Sequence, residues 1–149
     1  MAASRLVLEL KYKFRQVPLP DGDFDWLAVL LVHVSGGSRI SPTFEALIDS
    51  GATYCLFHGD VARAIGILDI TSGKRSAVGG VVQGPSMILY AHEIRLHIGP
   101  DNFKIEAHFS DQLPVACLLG RKGFFDKYIV TFDPTETSPG FELTRVHRS

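Results

Sequence analysis

Apolar and polar residues alternate with a period of two along several stretches of the chain, a pattern typical of β-strands with one buried face. The alternation runs over residues 6–15 and returns over residues 93–98 and 103–109, which flank a Gly-Pro-Asp-Asn turn. A longer apolar run over residues 26–34 ends at a Gly-Gly-Ser turn. Because such stretches far outnumber candidate helices, the sequence predicts a mainly β fold.

Shorter elements are predicted between and after these strands. Residues 43–48 indicate a strand that ends at Asp49, and residues 54–57 indicate another strand after a tight turn. A short helix is predicted from Asp60, as its N-cap, to Gly66. A second short helix is predicted over residues 122–127, followed by a final strand pair formed by residues 128–132 and 141–143.

Composition limits the classes of function. The chain has 149 residues, of which 46% are hydrophobic and 21% are charged, as in an ordinary globular domain. We interpret residues 1–149 as one domain with a hydrophobic core. Fifteen basic and sixteen acidic side chains give a formal net charge of -1, so no broad positive field is available and nucleic-acid binding is not expected.

Other features of the sequence argue against a membrane-spanning segment and against a metal or cofactor site. Charged residues interrupt the first apolar segment, and no run approaches the length of a membrane span. We therefore expect a cytoplasmic chain with no membrane contact in this segment. His92 and His97 lie an odd number of positions apart on a predicted strand and should face opposite ways, so neither a metal nor another cofactor is expected. Cys55 and Cys117 lie in apolar surroundings and are expected to be buried thiols.

Asp49 stands between an apolar strand and the small-residue turn Ser50-Gly51-Ala52. Burying an unpaired carboxylate costs several kcal/mol, so a carboxyl group in this context needs a reason. One reason is acid–base chemistry, with Asp49 projecting from a rigid strand end toward a substrate. The other is that the Asp side chain closes an Asx-turn, as in most Asp-Ser-Gly tripeptides.

A second motif bears on this choice. Residues 115–121 form another apolar strand, which ends in Gly120 and Arg121. Asp-Ser-Gly-Ala after one apolar strand, with a later Leu-Leu-Gly-Arg, resembles the retropepsin family of aspartic proteases over residues 27–143. The resemblance implies a mainly β acid-protease half-barrel that is closed by homodimerisation.

The resemblance also implies a role for each motif. Asp49 would be the catalytic aspartate, supported by Ser50 and Gly51. The strand with Leu119, Gly120 and Arg121 would pass behind it as a structural motif. A glycine-rich hairpin between the motifs would be the flap, although the same glycines fit an ordinary surface hairpin. The residues implied to contact substrate are Ala52, Thr53, Val78, Gly79, Gly80 and Leu118.

Only one Asp-Ser/Thr-Gly triplet occurs in the chain, which is too short for two full lobes of the pepsin type. An aspartate dyad needs two carboxylates close enough to share one proton. The second carboxylate must therefore come from another copy, which predicts a homodimer with two Asp49 residues facing each other. The expected reaction is hydrolysis of a peptide or protein substrate by a water that this dyad activates.

The sequence departs from the family pattern at one position. Retroviral members usually carry an acidic residue after Asp-Ser/Thr-Gly-Ala, and here that position is Thr53. Arg121 is therefore expected to pair elsewhere, with Asp126. The alternative hypothesis is a catalytically silent retropepsin-like module that binds peptide or forms dimers, because a fold does not by itself establish an activity.

Overall fold

The computed structural model describes residues 5–78, 87–135 and 139–148. In these ranges the chain forms β-strands, one α-helix and one 3₁₀ turn. The strands are β1 (Arg5–Lys13), β2 (Arg15–Pro18), β3 (Phe24–Leu27), β4 (Val29–Gly36), β5 (Arg39–Ile40), β6 (Phe44–Ile48), β7 (Leu56–His58), β8 (Lys74–Val78), β9 (Met87–Ile98), β10 (Asp101–Ser110), β11 (Cys117–Leu119), β12 (Tyr128–Asp133) and β13 (Gly140–Arg148). The helix α1 spans Gly59–Ala64, and the 3₁₀ turn spans Ile70–Ser72.

One sheet contains eight strands in the order β5-β4-β6-β11-β7-β10-β9-β8. A further pairing of β4 with β9, in which His33 lies opposite His97, closes six of these strands into a barrel. Neighbouring strands are antiparallel except for two parallel pairs, β6 with β11 and β7 with β10. The parallel pairing brings the ends of β6 and β11 side by side, where both sequence motifs lie.

Apolar side chains pack on both faces of this sheet. The larger cluster fills the barrel around the fully buried Phe57, Phe109 and Leu119. Leu56 and Phe57 are consecutive on β7 and point to opposite faces, so Leu56 belongs to a second cluster on the other side. This outer cluster consists of Leu56, Leu89 and Leu113, with Tyr54, Met87 and Leu118 packed against it.

The two ends of the chain form a separate three-stranded sheet in the order β1-β13-β12. Strands β1 and β13 pair along nine residues, and the Tyr12 ring stacks on Phe141 with 5.3 Å between ring centroids. A buried ion pair joins this sheet to the barrel, because Arg145 Nη1 donates to Asp101 Oδ1 at 2.6 Å. The Tyr128 hydroxyl also donates to the Asp101 carboxylate.

The mainly β prediction is confirmed, and the alternating residues 93–98 and 103–109 lie in β9 and β10 as an antiparallel hairpin. Two predicted strands are divided. Residues 6–15 contribute to β1 and β2, with a break at Phe14. The run 26–34 is broken at Ala28, whose carbonyl accepts a hydrogen bond from Ile48 N at 3.0 Å instead of joining a regular ladder.

The predicted helix boundaries need two corrections. The N-cap of α1 is His58 rather than Asp60, because the His58 side chain accepts from Asp60 N at 3.0 Å. The helix ends before Gly66, which has a φ of +94° as expected for a terminating glycine. Residues 122–127 form consecutive turns rather than the predicted helix. No helix in the described ranges is long and apolar enough to span a membrane.

Candidate active site

Asp49 follows the last residue of β6 and is held by backbone hydrogen bonds on both sides. Its N–H donates to Leu119 O on β11 at 3.0 Å, and the preceding Ile48 N donates to Ala28 O at 3.0 Å. These bonds fix the Asp49 backbone between two neighbouring segments of the barrel. The Asp49 residue is half-buried, so the carboxylate can be reached from solvent.

The Asp-Ser-Gly turn satisfies one oxygen of the Asp49 carboxylate. Gly51 N donates to Asp49 Oδ1 at 2.8 Å, and Ala52 N donates to Asp49 O at 3.1 Å. This is the Asx-turn that the tripeptide favours. Within the described residues Oδ2 accepts no hydrogen bond, so closing the turn leaves one carboxylate oxygen available to a ligand.

Arg121 holds the turn from behind. Its guanidinium donates to Ser50 O at 2.7 Å through Nη1 and to Thr53 Oγ1 at 3.2 Å through Nη2. Its backbone N–H donates to Ala52 O at 2.9 Å. Thr53 therefore supplies a neutral acceptor to this arginine, and the turn is fixed without an acidic residue at that position.

The expected pairing of Arg121 with Asp126 is wrong. Asp126 Oδ1 accepts instead from Gly123 N at 3.1 Å and closes the turn that follows β11. The side-chain partner of Arg121 is the hydroxyl of Thr53, which directly follows the Asp-Ser-Gly-Ala motif in the sequence. It was missed because the expected partner of an arginine is a carboxylate.

The residue after β11 must be glycine because two backbone segments meet there. A Cβ atom at Gly120 would lie 2.2 Å from Tyr54 O and 2.7 Å from Ala52 O. On the strand itself, Leu119 is fully buried in the barrel, while Leu118 is half-buried on the other face. Leu118 pairs with Leu47 of β6 and with Leu56 of β7, so it lies on the face of the outer cluster.

A cavity of about 630 Å³ opens beside Asp49. Most of its wall is apolar, and two of the aromatic side chains are strongly exposed, Phe24 at 53% and Phe132 at 49%. The sequence alone gives no functional role to this wall, since its aromatic residues come from three separate segments of the chain. The lining residues are Phe14, Phe24, Asp25, Trp26, Leu27, Ala28, Leu47, Ile48, Asp49, Phe132 and Pro134.

The predicted flap is described only at its base. Strands β8 and β9 pair antiparallel, and Val78 lies opposite Met87 at the end of the described ladder. The predicted tip residues Gly79 and Gly80 lie outside the described residues. The hairpin is therefore present up to Val78, in the chain order that the resemblance implies.

One group of side chains in the described ranges has the spacing of metal ligands. Ligand atoms of His58, Asp60 and Asp111 lie within 4.8 Å of one another. Arg63 already donates to both carboxylates, at 2.7 Å to Asp60 and 2.6 Å to Asp111. The hydrogen bonds from Arg63 hold the pKa of Asp60 below its usual value. The group is thus an ion-pair network that ties α1 to the end of β10.

The remaining histidine and cysteine predictions concern packing. His92 Nε2 lies 2.7 Å from Ile70 O and His97 Nε2 lies 2.9 Å from Ser35 Oγ, so the two rings have separate partners. Cys55 and Cys117 are buried free thiols, as predicted. Burial raises the pKa of Cys55 to about 12 and raises that of Cys117 well above its ordinary value, so neither is a reactive thiolate at neutral pH.

The fold was compared with known proteins. It resembles the crystal structure of a retropepsin-like aspartic protease from Rickettsia conorii, with a TM-score of 0.61 and 19% sequence identity over 98% of this chain and 97% of that chain. The chain has a retropepsin-like fold. No protein-family model and no curated protein sequence matches the chain. The retropepsin-like half-barrel predicted from the two motifs is therefore confirmed as a fold.

Proposed function

We propose that the chain is an aspartic endopeptidase whose catalytic dyad consists of Asp49 from each of two copies. The observation that carries the proposal is the geometry of the Asp49 carboxylate. Gly51 holds Oδ1, Oδ2 accepts no hydrogen bond within the described part of the chain, and the backbone is fixed to β11 through Leu119. A carboxylate that is oriented but not consumed by the fold is suited to proton transfer.

The mechanism follows from bringing two such groups together. Two carboxylates at hydrogen-bonding distance cannot both ionise easily, so the pair holds one proton. The ionised Asp49 takes a proton from a bound water as the water oxygen bonds to the carbonyl carbon of the scissile peptide bond, and the protonated Asp49 donates to the carbonyl oxygen. One Asp49 then gives a proton to the amide nitrogen, the other takes a proton from a hydroxyl of the tetrahedral intermediate, and the C–N bond breaks. In this proposal the Ser50 hydroxyl supports the dyad across the two-fold axis.

The surface beside Asp49 supports a homodimer. One chain carries one Asp-Ser-Gly triplet, so a dyad requires a second copy. Phe24 and Phe132 are large apolar side chains that are about half exposed in the cavity next to Asp49. Covering such groups on association is favourable by about 25 cal/mol per Å² of apolar surface, which favours an interface on this side of the molecule.

An extended peptide substrate fits the elements around Asp49. Such a peptide binds by strand addition, in which its backbone bonds to exposed backbone groups and its side chains enter pockets. Gly51 and the flap hairpin that includes Val78, Gly79 and Gly80 supply backbone contacts in this proposal. Ala52, Thr53 and Leu118 contact substrate side chains.

The proposal is tested by incubating a peptide library with the wild-type chain and with Asp49→Asn at mildly acidic and neutral pH. We expect cleavage by the wild type and a loss of about 10²–10⁴-fold in Asp49→Asn, because removal of a general acid–base group has that effect. The matched control is Asp21→Asn, in the exposed turn between β2 and β3. Unchanged cleavage by Asp49→Asn would overturn the mechanism, and no cleavage by the wild type would favour the silent binding module.

A further inference from the structure

His33 on β4 and His97 on β9 form a pair of titratable side chains outside the candidate active site. The two residues lie directly opposite each other, and their rings stack with 4.3 Å between centroids and 12° between ring planes. Both side chains are half-buried. Because the neighbouring Val32 and Val34 are buried in the barrel, His33 points away from its core. The stack is therefore a contact between two imidazole rings on the outer face of the barrel.

The stack lies where the barrel closes. Strand β9 pairs with β8 through residues 87–91 and with β4 through residues 95–97, and the pairing with β4 is the one that closes the barrel. We refer to the pairing of β4 with β9 as the barrel seam. In the described ranges it consists of three residue pairs, which are His33 with His97, Val34 with Leu96, and Ser35 with Arg95.

Cationic and neutral groups surround His97 on this face. Arg95 on β9 lies opposite Lys104 on β10, and both side chains project from the face that carries His97. Asn102 lies opposite His97 and accepts from Arg95 Nη1 at 2.8 Å through its Oδ1. A proton on the His97 ring would therefore place a second positive charge beside a fixed guanidinium.

The acidic side chains on the same face have other partners. Strands β4 and β5 contribute only neutral side chains to the surroundings of the stack, which are Leu31, Ser35 and Ile40. Each acidic side chain on this face of β6, β9 and β10 contacts a basic one: Glu45 with Arg15, Glu93 with Lys104, and Glu106 with His108. Among the ion pairs of the described residues, none includes His33 or His97.

The hydrogen bond of His97 does not compensate a charge on the ring. Its Nε2 lies 2.9 Å from Ser35 Oγ, and a hydroxyl can donate to a neutral ring nitrogen or accept from a protonated one. Burial, the His33 ring and Arg95 together lower the pKa of His97. The unfolded chain thus binds this proton more readily than the folded chain. The resulting stability is complete above the unfolded-state value of about 6.5 and is lost as the pH falls below it.

We propose that the stack of His33 on His97 makes the barrel seam sensitive to pH, so that the seam is closed with neutral rings and weakens when both rings carry a proton. Like charges directly opposite each other on paired strands are destabilising, and Arg95 adds a third positive charge. Strand β4 also pairs with β6, the strand that ends before Asp49. A weakened seam therefore loosens a strand next to the candidate site, although the proposal does not depend on the proposed function.

The first test follows the ring protons of His97 by NMR from about pH 8 to about pH 5. His33→Phe keeps a ring that can stack and removes the charge, and His33→Gln serves as a second variant. We expect the titration midpoint of His97 to lie below about 6.5 in the wild type and to shift upward in both variants. His58→Asn removes another half-buried imidazole, keeps an acceptor at the N-cap of α1, and should leave the midpoint unchanged. The same midpoint in the wild type and both His33 variants would overturn the proposal.

The second test compares amide hydrogen exchange and urea unfolding at about pH 7 and about pH 5. On acidification we expect the amides of residues 33–35 to lose more protection than those of residues 103–107 on β10. One proton bound only by the unfolded chain lowers the folding constant by up to about tenfold per pH unit. The urea midpoint should therefore fall in the wild type and fall less in His33→Phe. An equal fall in both proteins, or an equal loss of protection in both strands, would overturn the proposal.

Discussion

Two single residues near Asp49, Gly51 and Gly120, must be glycine for different reasons. A Cβ atom at Gly120 would meet backbone oxygens at 2.2 and 2.7 Å, and backbone can move little. A Cβ atom at Gly51 would meet only Asp49 Oδ1, at 3.1 Å, which is the oxygen that Gly51 N holds. One glycine therefore serves the fold, and the other serves the orientation of the carboxylate.

We predict that Gly120→Ala lowers the free energy of unfolding by about 1–3 kcal/mol, the usual cost of forcing a group into a packed site. Gly51→Ala should change stability much less while reducing peptide cleavage, because it displaces Asp49 Oδ1. Urea unfolding of both variants, compared with the wild type, measures the difference. Equal stability of Gly120→Ala and the wild type would contradict the assigned backbone contact.

At the scale of elements, the β-strands follow from the sequence better than their pairing does. The alternation over residues 93–109 predicts β9 and β10 because it is local, whereas the parallel pairing of β6 with β11 joins residues about seventy positions apart. Turns were less predictable. Lys122 to Lys127 has apolar spacing typical of a helix, but Asp126 accepts from Gly123 N and favours turns instead.

In the candidate site too, local motifs could be predicted from the sequence, but contacts between distant residues could not. Asp49 and Gly51 could be predicted from one contiguous motif, and Gly120 from a second contiguous motif. The aromatic wall near Asp49 and the stacking of Tyr54 on His108 involve residues that meet only through tertiary packing. No local pattern could have predicted those contacts.

The buried Asp101 carboxylate links the barrel to the terminal sheet. Burial alone would raise the pKa of Asp101, but hydrogen bonds from Arg145 and Tyr128 outweigh it and hold the pKa below its usual value. A depressed folded-state pKa means that this contribution to stability is complete above the unfolded-state value of about 4 and is lost as the pH falls through the lower folded-state value.

We therefore predict that Asp101→Asn lowers stability at neutral pH by about 3–5 kcal/mol, because Arg145 loses its buried partner. The variant should also lose part of the acid dependence of the wild type below about pH 4. Urea unfolding across a pH series measures both effects, with Glu9→Gln at an exposed position of β1 as the control. An unchanged acid dependence in Asp101→Asn would contradict the ionised pair.

At the scale of the whole molecule, the proposed dimer must form through surfaces near Asp49. The terminal strands β1 and β13 pair with each other along nine residues, so their facing backbone groups are already used within one chain. The half-exposed Phe24 and Phe132 beside Asp49 remain for contact with a second copy. The dimer is therefore expected to associate and exchange without unfolding of the terminal sheet.

Mixing wild-type chain with Asp49→Asn chain tests the shared dyad most directly. After subunit exchange at constant total concentration, dimers with one wild-type subunit lack one carboxylate of the dyad and should be inactive. Cleavage of a peptide substrate is then predicted to follow the square of the wild-type fraction, reaching about one quarter of full activity in an equal mixture. Activity that falls in proportion to the wild-type fraction, to about one half, would contradict a dyad formed between two chains.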